Sequence, residues 1–214
     1  MNQDVPFVRA MLLGWIYELV RTYKFDGLRI DTAPYVPKEF WREFTRAAGV
    51  YTLGEIAEPD TAFVASYQGP LDGTLHYPLF YSLRTAFLKK NGSMKALQEQ
   101  YNSSKREFKD MSLLGNFVDN HDNPRFLPSS YDPIAFRSAL ALSLLFEGIP
   151  IVYYGSEQLF HGAADPYNRE VLWTKMEKGT ETFEFLKKII IWRKRVGLHE
   201  FSQVERYVDN EIYS

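Results

Sequence analysis

Short apolar segments alternate with helical patterns along almost the whole chain, and this alternation restricts the fold more than any other feature. Helical spacing of apolar residues separates five strand-like segments, namely FDGLRIDT (25–32), VYTLGEI (50–56), TLHYP (74–78), SLLGNFVD (112–119) and IPIVYYG (149–155). Strands that alternate with helices at this spacing predict βα units around a parallel sheet. The sequence therefore predicts an α/β fold, in which the continuous apolar run of IPIVYYG is a strand buried on both faces.

The helical patterns have bounds that can be read from their apolar spacing and their punctuation. They cover about Val5 to Tyr23, Lys38 to Ala48, Leu79 to Lys89, Ser93 to Phe108, Pro133 to Glu147 and Thr182 to Val196. The last helix is expected to end at Gly197, a typical C-cap. The tail that follows, HEFSQVERYVDNEIYS (199–214), alternates like a β-hairpin and is expected to open a separate small domain.

Composition excludes several classes of function. The 214 residues are 45% hydrophobic, enough for a sizeable core, and 16% aromatic, which suits both large packed rings and a carbohydrate site. A net charge of −2 gives no support for nucleic acid or an anionic membrane as a partner. The absence of cysteine excludes thiolate metal sites, catalytic thiols and disulfides. The N-terminal segment lacks the pattern of a signal peptide, and no apolar run is long enough to span a bilayer.

Carboxylates follow three of the predicted strands directly. Asp31 ends its strand, Glu55 ends the next, and Asp122 follows a third. The carboxyl ends of parallel strands lie on one face of an α/β fold, and active sites are built on that face. We therefore expect the three side chains to lie close together.

The two strand-end carboxylates have different sequence surroundings. Arg29 and Asp31 are two residues apart on a strand, so their side chains point the same way, and a cation there keeps the carboxylate ionised as a nucleophile requires. A structural ion pair explains this spacing equally well. Glu55 has apolar sequence neighbours, which would raise its pKa and suit a proton donor, although acidic residues are also common near helix starts.

In the stretch FVDNHDNPRF (117–126), six polar residues lie at and beyond the end of a predicted strand. A capped turn explains one or two of them, because Asp and Asn bond local backbone and Pro ends the strand. A third carboxylate, Asp122, explains more. Hydrolysis of a glycosidic bond needs an acid to protonate the leaving oxygen, a carboxylate that attacks, and stabilisation of an oxocarbenium-like centre.

Three of these stretches together carry a family resemblance. GLRIDTAPYV, YTLGEIAE and FVDNHDNPRF, in this order, resemble three of the four short sequence regions that mark the α-amylase family of retaining glycoside hydrolases. The flanking stretches DGTLHYP, GIPIVYYGSEQ and DPYNRE are similar to those of fungal-type α-amylases. The resemblance covers nearly the whole chain. It implies that Asp31 is the nucleophile, Glu55 the general acid/base and Asp122 the transition-state stabiliser.

The same resemblance implies which residues bind substrate. Arg29 would orient and ionise the nucleophile, and His121 would bind the sugar in the cleavage subsite. Asp165 and Arg169, in DPYNRE, would hold sugars further along the non-reducing side. Many such amylases carry a Lys-His pair where this chain has Pro34 and Tyr35. Tyr35 can stack on a sugar, and its backbone carbonyl matches a position associated with the structural calcium ion.

The family's first region, an Asp-Val-x-x-Asn-His motif, does not occur in the sequence. The resemblance therefore implies an incomplete (β/α)₈ barrel, about strands 4 to 8, over residues 1–199, and the start of a C-terminal β-domain over residues 200–214. Most calcium ligands would lie outside this chain. The function expected is an endo-acting hydrolase of α-1,4-glucosidic bonds in starch or glycogen, inactive as the isolated fragment.

Two alternatives stay open at this point. An α-glucosidase or glucanotransferase of the same family has the same carboxylates, and a non-enzymatic homologue would bind glucan or another protein without cleaving it. Retention of all three of Asp31, Glu55 and Asp122 favours an enzyme. For the full-length parent we expect a secreted monomer that binds an α-1,4-glucan, with no nucleic-acid or membrane partner.

Overall fold

The strands of the protein form one parallel series. A computed structural model describes residues 2–88, 92–198, 203–204, 206–209 and 211–213. In this part of the chain the strands are β1 (Gly27–Ile30), β2 (Tyr51–Gly54), β3 (Gly73–Thr74), β4 (Gly115–Asn116) and β5 (Ile149–Pro150). The order β1-β2-β3 makes one parallel sheet and β4-β5 a second, and a parallel bridge between Leu75 and Gly115 joins the two sheets.

Helices fill the connections between the strands, as right-handed βα units require. The described α-helices are α1 (Pro6–Tyr23), α2 (Lys38–Ala48), α3 (Thr61–Ala65), α4 (Tyr77–Leu88), α5 (Met94–Glu107), α6 (Leu127–Ser130), α7 (Pro133–Leu145) and α8 (Glu181–Val196). This arrangement of parallel strands and covering helices is an incomplete α/β barrel, so the predicted fold class is confirmed.

Local sequence explains where the main helices begin and end. Asp132 accepts hydrogen bonds from two backbone amides in the first turn of α7, which also carries Pro133 at its first position. Thr180 caps α8 in the same way, and Gly197 ends it with a left-handed φ of 62° that a residue without Cβ adopts freely. The predicted bounds of α2 and α8 differ from the observed ones by at most one residue.

The aromatic face of α2 anchors the first βα unit in the core. Phe40, Trp41 and Phe44 are all buried, and their rings meet at centroid distances of 5.4–5.9 Å. The indole Nε1 of Trp41 donates to the carbonyl of Ala33 at 2.8 Å. This bond fixes the short 3₁₀ turn Ala33–Tyr35, which follows Asp31, onto the helix behind it.

Strand edges and one helix face have no cover among the described residues. In that part of the chain β1 pairs only with β2, and β5 pairs only with β4. On α1, Phe7, Met11 and Trp15 follow one another at four-residue spacing and are 77%, 45% and 54% exposed. A complete barrel has no free strand edge, so both features fit a barrel that continues beyond these strands.

Some sequence expectations differ from the structure. The predicted strand over 149–155 is paired only at Ile149 and Pro150, and both residues are half-buried rather than enclosed, because β4 is its only neighbour in the described chain. The predicted extended piece 74–78 gives way at Tyr77 to the start of α4. Helices α3 and α6 were not predicted. Of the predicted hairpin, residues 199–202, 205, 210 and 214 lie outside the described chain, and an antiparallel bridge joins Val208 to Tyr213.

Candidate active site

The register of the first two strands brings the first two carboxylates together. Ile30 of β1 is paired with Gly54 of β2, so the next residues, Asp31 and Glu55, leave the sheet side by side. Gly54 also has a packing reason, because a Cβ at this position would lie 2.3 Å from Cδ1 of Leu71. The expected convergence of these carboxylates at one end of the sheet is thus a direct result of strand pairing.

Arg29 bridges the two carboxylates. Its Nη1 lies 2.8 Å from Oδ1 of Asp31, and its Nη2 lies 2.9 Å from Oε1 of Glu55. The pKa of Asp31 is lowered, first by the hydrogen bond from Arg29 and at longer range by the charge of His121. Asp31 is therefore held ionised at neutral pH while its side chain stays 68% exposed. A carboxylate in this state is a competent nucleophile.

Glu55 is buried, with 7% of the residue exposed. Besides Arg29, the backbone N–H of Thr32 donates to its Oε2 at 3.3 Å, and the hydroxyl of Tyr77 donates to its Oε1 at 3.3 Å. The surroundings of Glu55 are therefore more polar than its sequence neighbours predict. These contacts hold its two oxygens in a fixed direction beside Asp31.

Asp122 lies in the loop that follows β4, and the loop is a capped turn as well as a site. Oδ1 of Asn120 accepts hydrogen bonds from the backbone N–H groups of Asp122 and Asn123, at 3.2 and 2.9 Å. The Asp122 carboxylate takes no part in this turn. It contacts Nε2 of His121 at 3.2 Å and Nη2 of Arg169 at 3.6 Å, and remains 43% exposed. The capped turn is thus observed, and Asp122 is left free of it, as a role in a site would require.

A second aspartate in the same loop has a structural position. Asp119 is buried and pairs with Nη1 of Arg84 at 3.2 Å, and its Oδ1 also accepts from the backbone N–H of Phe126 at 2.8 Å. Burial raises the pKa of Asp119 to about 6, against the opposing effect of Arg84. Asp119 ties the loop to α4 and leaves Asp122 as the accessible carboxylate.

The predicted sugar-binding residues lie at different distances from the carboxylates. Arg169 contacts both Asp122 and Asp165, the latter through Nε at 2.6 Å, so the structure joins these two residues to the site. Tyr35 is 87% exposed in its 3₁₀ turn and makes none of the polar contacts described above. An open ring beside the site is available to stack on a sugar.

A cavity of about 220 Å³ lies against these residues. Its lining combines polar Arg29, Glu55 and His121 with apolar Leu53, Phe117 and Ile151. Leu53 belongs to β2, and Phe117 and Ile151 directly follow β4 and β5. Sequence reasoning missed Tyr77, which contacts Glu55, and Asn168, which contacts the backbone beside Asp122. They lie in DGTLHYP and DPYNRE, but nothing in these stretches marks such contacts.

Metal binding has little support in the described residues. No group of three or more His, Asp or Glu side chains in that part of the chain is arranged to hold a metal ion. The carbonyl of Tyr35 alone does not make a calcium site. In the same part of the chain, no helix has the length and apolar character needed to cross a membrane.

Known proteins resemble this chain throughout its length. Residues 1–210 match the family described as Alpha amylase, catalytic domain. Alpha-amylase 2 of Schwanniomyces occidentalis is 43% identical over 200 residues, which cover 94% of this chain and 39% of that protein. Alpha-amylase 1 of Lipomyces kononenkoae is 42% identical over 182 residues, covering 85% of this chain and 29% of that protein.

Solved structures give the same result for the fold. An α-amylase from Malbranchea cinnamomea superposes with a TM-score of 0.95 at 35% identity, over 98% of this chain and 46% of that one. An α-amylase from Geobacillus thermoleovorans, solved with acarbose, gives a TM-score of 0.90 at 28% identity, over 100% of this chain and 50% of that one. The chain thus spans less than half the length of the curated relatives that it matches.

Proposed function

Because this chain belongs to the α-amylase family of glycoside hydrolases, we propose that it supplies the catalytic carboxylates of an enzyme that cleaves internal α-1,4-glucosidic bonds of starch or glycogen. The proposed reaction is a double displacement that retains the anomeric configuration. In it Asp31 is the nucleophile, Glu55 the general acid/base and Asp122 the stabiliser of the transition state.

One observation carries this proposal, and it is the position of Arg29 between Asp31 and Glu55. Both carboxylates contact the same guanidinium, at 2.8 Å for Asp31 and 2.9 Å for Glu55. They are therefore close together. Retaining glycosidases need a separation of about 5–5.5 Å, whereas inverting enzymes leave room for a water at about 6.5–9.5 Å.

In the first step the Asp31 carboxylate attacks the anomeric carbon of the bound sugar. The bond from that carbon to the glycosidic oxygen breaks, its electron pair stays on the oxygen, and Glu55 gives its proton to that oxygen. The products are a covalent glycosyl ester of Asp31 and a glucan with a new hydroxyl group. Arg29 keeps Asp31 in the ionised form that the attack requires.

In the second step Glu55, now a carboxylate, removes a proton from water. The water oxygen attacks the anomeric carbon and the ester bond to Asp31 breaks, which regenerates both carboxyl groups. Asp122 lies across the site, exposed and flanked by His121 and Arg169. A carboxylate held there can accept hydrogen bonds from sugar hydroxyls and stabilise positive charge at the anomeric centre in both steps.

The same relationship assigns the two parts of this chain to regions of a longer enzyme. Residues 1–199 would be the second half of the catalytic barrel, about strands 4 to 8, and residues 200–214 the start of the C-terminal β-domain. The five parallel strands of the described residues, whose outer edges are unpaired there, support the first assignment, and the antiparallel bridge between Val208 and Tyr213 supports the second. We further propose that the complete enzyme is a secreted monomer that binds structural calcium, with ligands from outside this chain.

The test uses the complete enzyme and two leaving groups. Asp31→Asn and Glu55→Gln are each expected to lower turnover on maltooligosaccharides by at least about 10²-fold. With a maltosyl fluoride, whose leaving group needs no proton, Glu55→Gln should regain most of its first-step rate and Asp31→Asn should not. Asp26→Asn and Glu58→Gln, at nearby exposed positions, are the matched controls. If turnover on maltooligosaccharides falls by less than tenfold in Asp31→Asn or Glu55→Gln, the proposed roles are refuted.

Product analysis separates this function from its alternatives. Proton NMR of the freshly released reducing end should show the α anomer first, and early β anomer would exclude retention. Internal cleavage gives a mixture of short maltooligosaccharides, an α-glucosidase gives glucose, and a glucanotransferase gives longer or cyclic glucans. Binding of glucan without any turnover would identify the non-enzymatic alternative.

A further inference from the structure

Asn168 holds the loop that carries Asp122 at two points. This asparagine is fully buried. Its Nδ2 donates to the carbonyl of His121 at 2.9 Å and to the carbonyl of Asn123 at 2.8 Å. These are the residues on either side of Asp122, so one amide group fixes the backbone on both flanks of the carboxylate. Two carbonyl acceptors also settle the orientation of the amide, because a flipped oxygen would face both of them.

Asn168 is itself held by a buried framework. Nε of Arg125 donates to the backbone carbonyl of Asn168 at 3.1 Å and to Oε2 of Glu170 at 2.6 Å. The other carboxylate oxygen of Glu170 accepts the backbone N–H groups of His161 and Gly162, at 2.9 and 2.6 Å. Asn168 is therefore held by buried contacts that do not involve the Asp122 side chain.

The guanidinium of Arg125 reinforces this framework. Arg125 is fully buried, and its charge lies 4.4 Å from the ring centroid of Tyr153 and 5.3 Å from that of Phe160. The hydroxyl of Tyr153 also donates to the Asn168 carbonyl, at 3.3 Å. Residues from two segments more than 40 positions apart thus form one packed unit under the Asp122 loop.

We propose that Asn168 is a positioning residue for Asp122, which sets the placement of this carboxylate relative to Asp31 and Glu55. The inference rests on the proposed function of Asp122 as the transition-state stabiliser. Asp122 is 43% exposed, and among the described residues its carboxylate contacts His121 and Arg169, both of them 40% or more exposed. Its placement therefore depends on the backbone, which Asn120 holds from within the turn and the fully buried Asn168 holds from outside it.

The size of the effect follows from catalytic geometry. A displacement of about 1 Å at a reacting group can cost about 10²-fold in rate. Removal of the Asn168 amide leaves the half-buried carbonyl groups of His121 and Asn123 without this donor and frees the loop on both sides of Asp122. We therefore expect a fall in kcat of about 10- to 10²-fold with a much smaller change in KM.

The test is a double-mutant cycle in the complete enzyme, measured as single-turnover rates on a maltooligosaccharyl fluoride. Asn168→Ala and Asn168→Asp are combined in turn with Asp122→Asn. If Asn168 acts through Asp122, each of the two Asn168 substitutions should lower the single-turnover rate by less than about threefold in the Asp122→Asn background. Asn102→Asp, at an exposed position on α5, is the matched control for the added charge and should change neither rate nor KM.

The possible results distinguish failure of the positioning role of Asn168 from failure of the proposed function of Asp122. Equal losses from Asn168→Ala in the two backgrounds would show an effect independent of Asp122 and would overturn the positioning role. Loss of the cooperative thermal transition in both Asn168 variants would overturn it as well, because Asn168 would then hold the fold as a whole. If Asp122→Asn alone leaves the rate unchanged, the proposed function of Asp122 fails, and that result is read from the single variant alone.

Discussion

The hydroxyl of Tyr77 donates a hydrogen bond to Oε1 of Glu55 at 3.3 Å, from a side chain that is fully buried. Nδ2 of Asn120 donates to the same hydroxyl at 2.9 Å. Tyr77 therefore connects the proposed acid/base with the residue that caps the Asp122 turn. Its ring is fixed by edge-on packing against Phe80 and Phe117, at centroid distances of 5.6 and 5.1 Å.

Tyr77→Phe is expected to keep the fold and lower turnover. The phenylalanine ring fills the same space, but Glu55 loses a hydrogen-bond donor and the Asn120 amide loses an acceptor. A polar group left without its partner in the protein interior costs about 1–3 kcal/mol. We expect kcat to fall about tenfold, since this corresponds to about 1.4 kcal/mol. Tyr81→Phe also removes a tyrosine hydroxyl, from a half-buried residue one turn along α4, and is the matched control. Wild-type kcat in Tyr77→Phe would show that the hydroxyl does not position Glu55.

Arg29→Met should shift the pH dependence of activity. The hydrogen bond from Arg29 is the largest cause of the lowered pKa of Asp31, so its removal should raise that pKa. Catalysis requires ionised Asp31, and the acidic limb of kcat/KM should therefore move to higher pH. Arg29→Lys keeps a positive charge and should show a smaller shift. An unmoved acidic limb in Arg29→Met, measured on the same substrate, would mean that the limb reports another group.

His76 should make stability depend on pH below neutrality. Its imidazole is buried between Asn116 and Ser104, and burial lowers its pKa to about 4. The unfolded chain, with a histidine pKa of about 6.5, binds the proton first, so stability is complete above about pH 6.5 and is lost as pH falls towards 4. The loss is on the order of 3 kcal/mol at its limit.

Asp119 opposes this trend, because burial raises its pKa to about 6 and the folded protein then takes up its proton in the same window. The comparison is therefore made between wild type and His76→Gln, which share Asp119. Urea unfolding at pH 7 and pH 4.5 should give a smaller drop in stability for His76→Gln than for wild type. Equal drops in the two proteins would show that His76 is not the titrating group.

The 214-residue chain alone should show no turnover, despite its three carboxylates. The outer edges of β1 and β5 are unpaired in the described chain, and α1 presents Phe7, Met11 and Trp15 to solvent. Such edges and faces favour association with other chains over a fixed site. We expect light scattering to show self-association and a chromogenic maltooligosaccharide to stay intact, with or without calcium. Clear turnover by a monomer would contradict this prediction.

Sequence alone predicts the parts of this site that depend on local order. Asp31 and Glu55 are recognisable because each directly follows an apolar strand, and the spacing of Arg29 and Asp31 places both on one face. Helix bounds were close where caps such as Gly197 mark them. Strand lengths were not, because pairing depends on neighbours: Ile149 and Pro150 are paired with β4, and the residues after them have no second neighbour in the described chain.

The supporting residues could not be predicted for a different reason. Tyr77 reaches Glu55 only because β2 and β3 are adjacent, and its place at the start of a helix is hidden in a stretch that resembles a strand. Asn168 reaches the Asp122 loop from 47 residues away, through a contact that exists only in the folded chain. The stretches DGTLHYP and DPYNRE that contain them carry the family resemblance, but a single Tyr or Asn within such a stretch is compatible with many environments.

The pairing of Ile30 with Gly54 has a consequence for how this enzyme can be altered. The proposed nucleophile and acid/base are placed by a backbone ladder, and a slip of one residue would turn the side chains of the slipped strand to the opposite face of the sheet. Asp165 and Arg169 lie outside this ladder, in a loop, where changes of side chain are tolerated more easily. In the proposed enzyme, bond cleavage and sugar binding are therefore separable targets for engineering. A library confined to these two positions can search for new substrates while Asp31, Glu55, Asp122 and Asn168 stay intact.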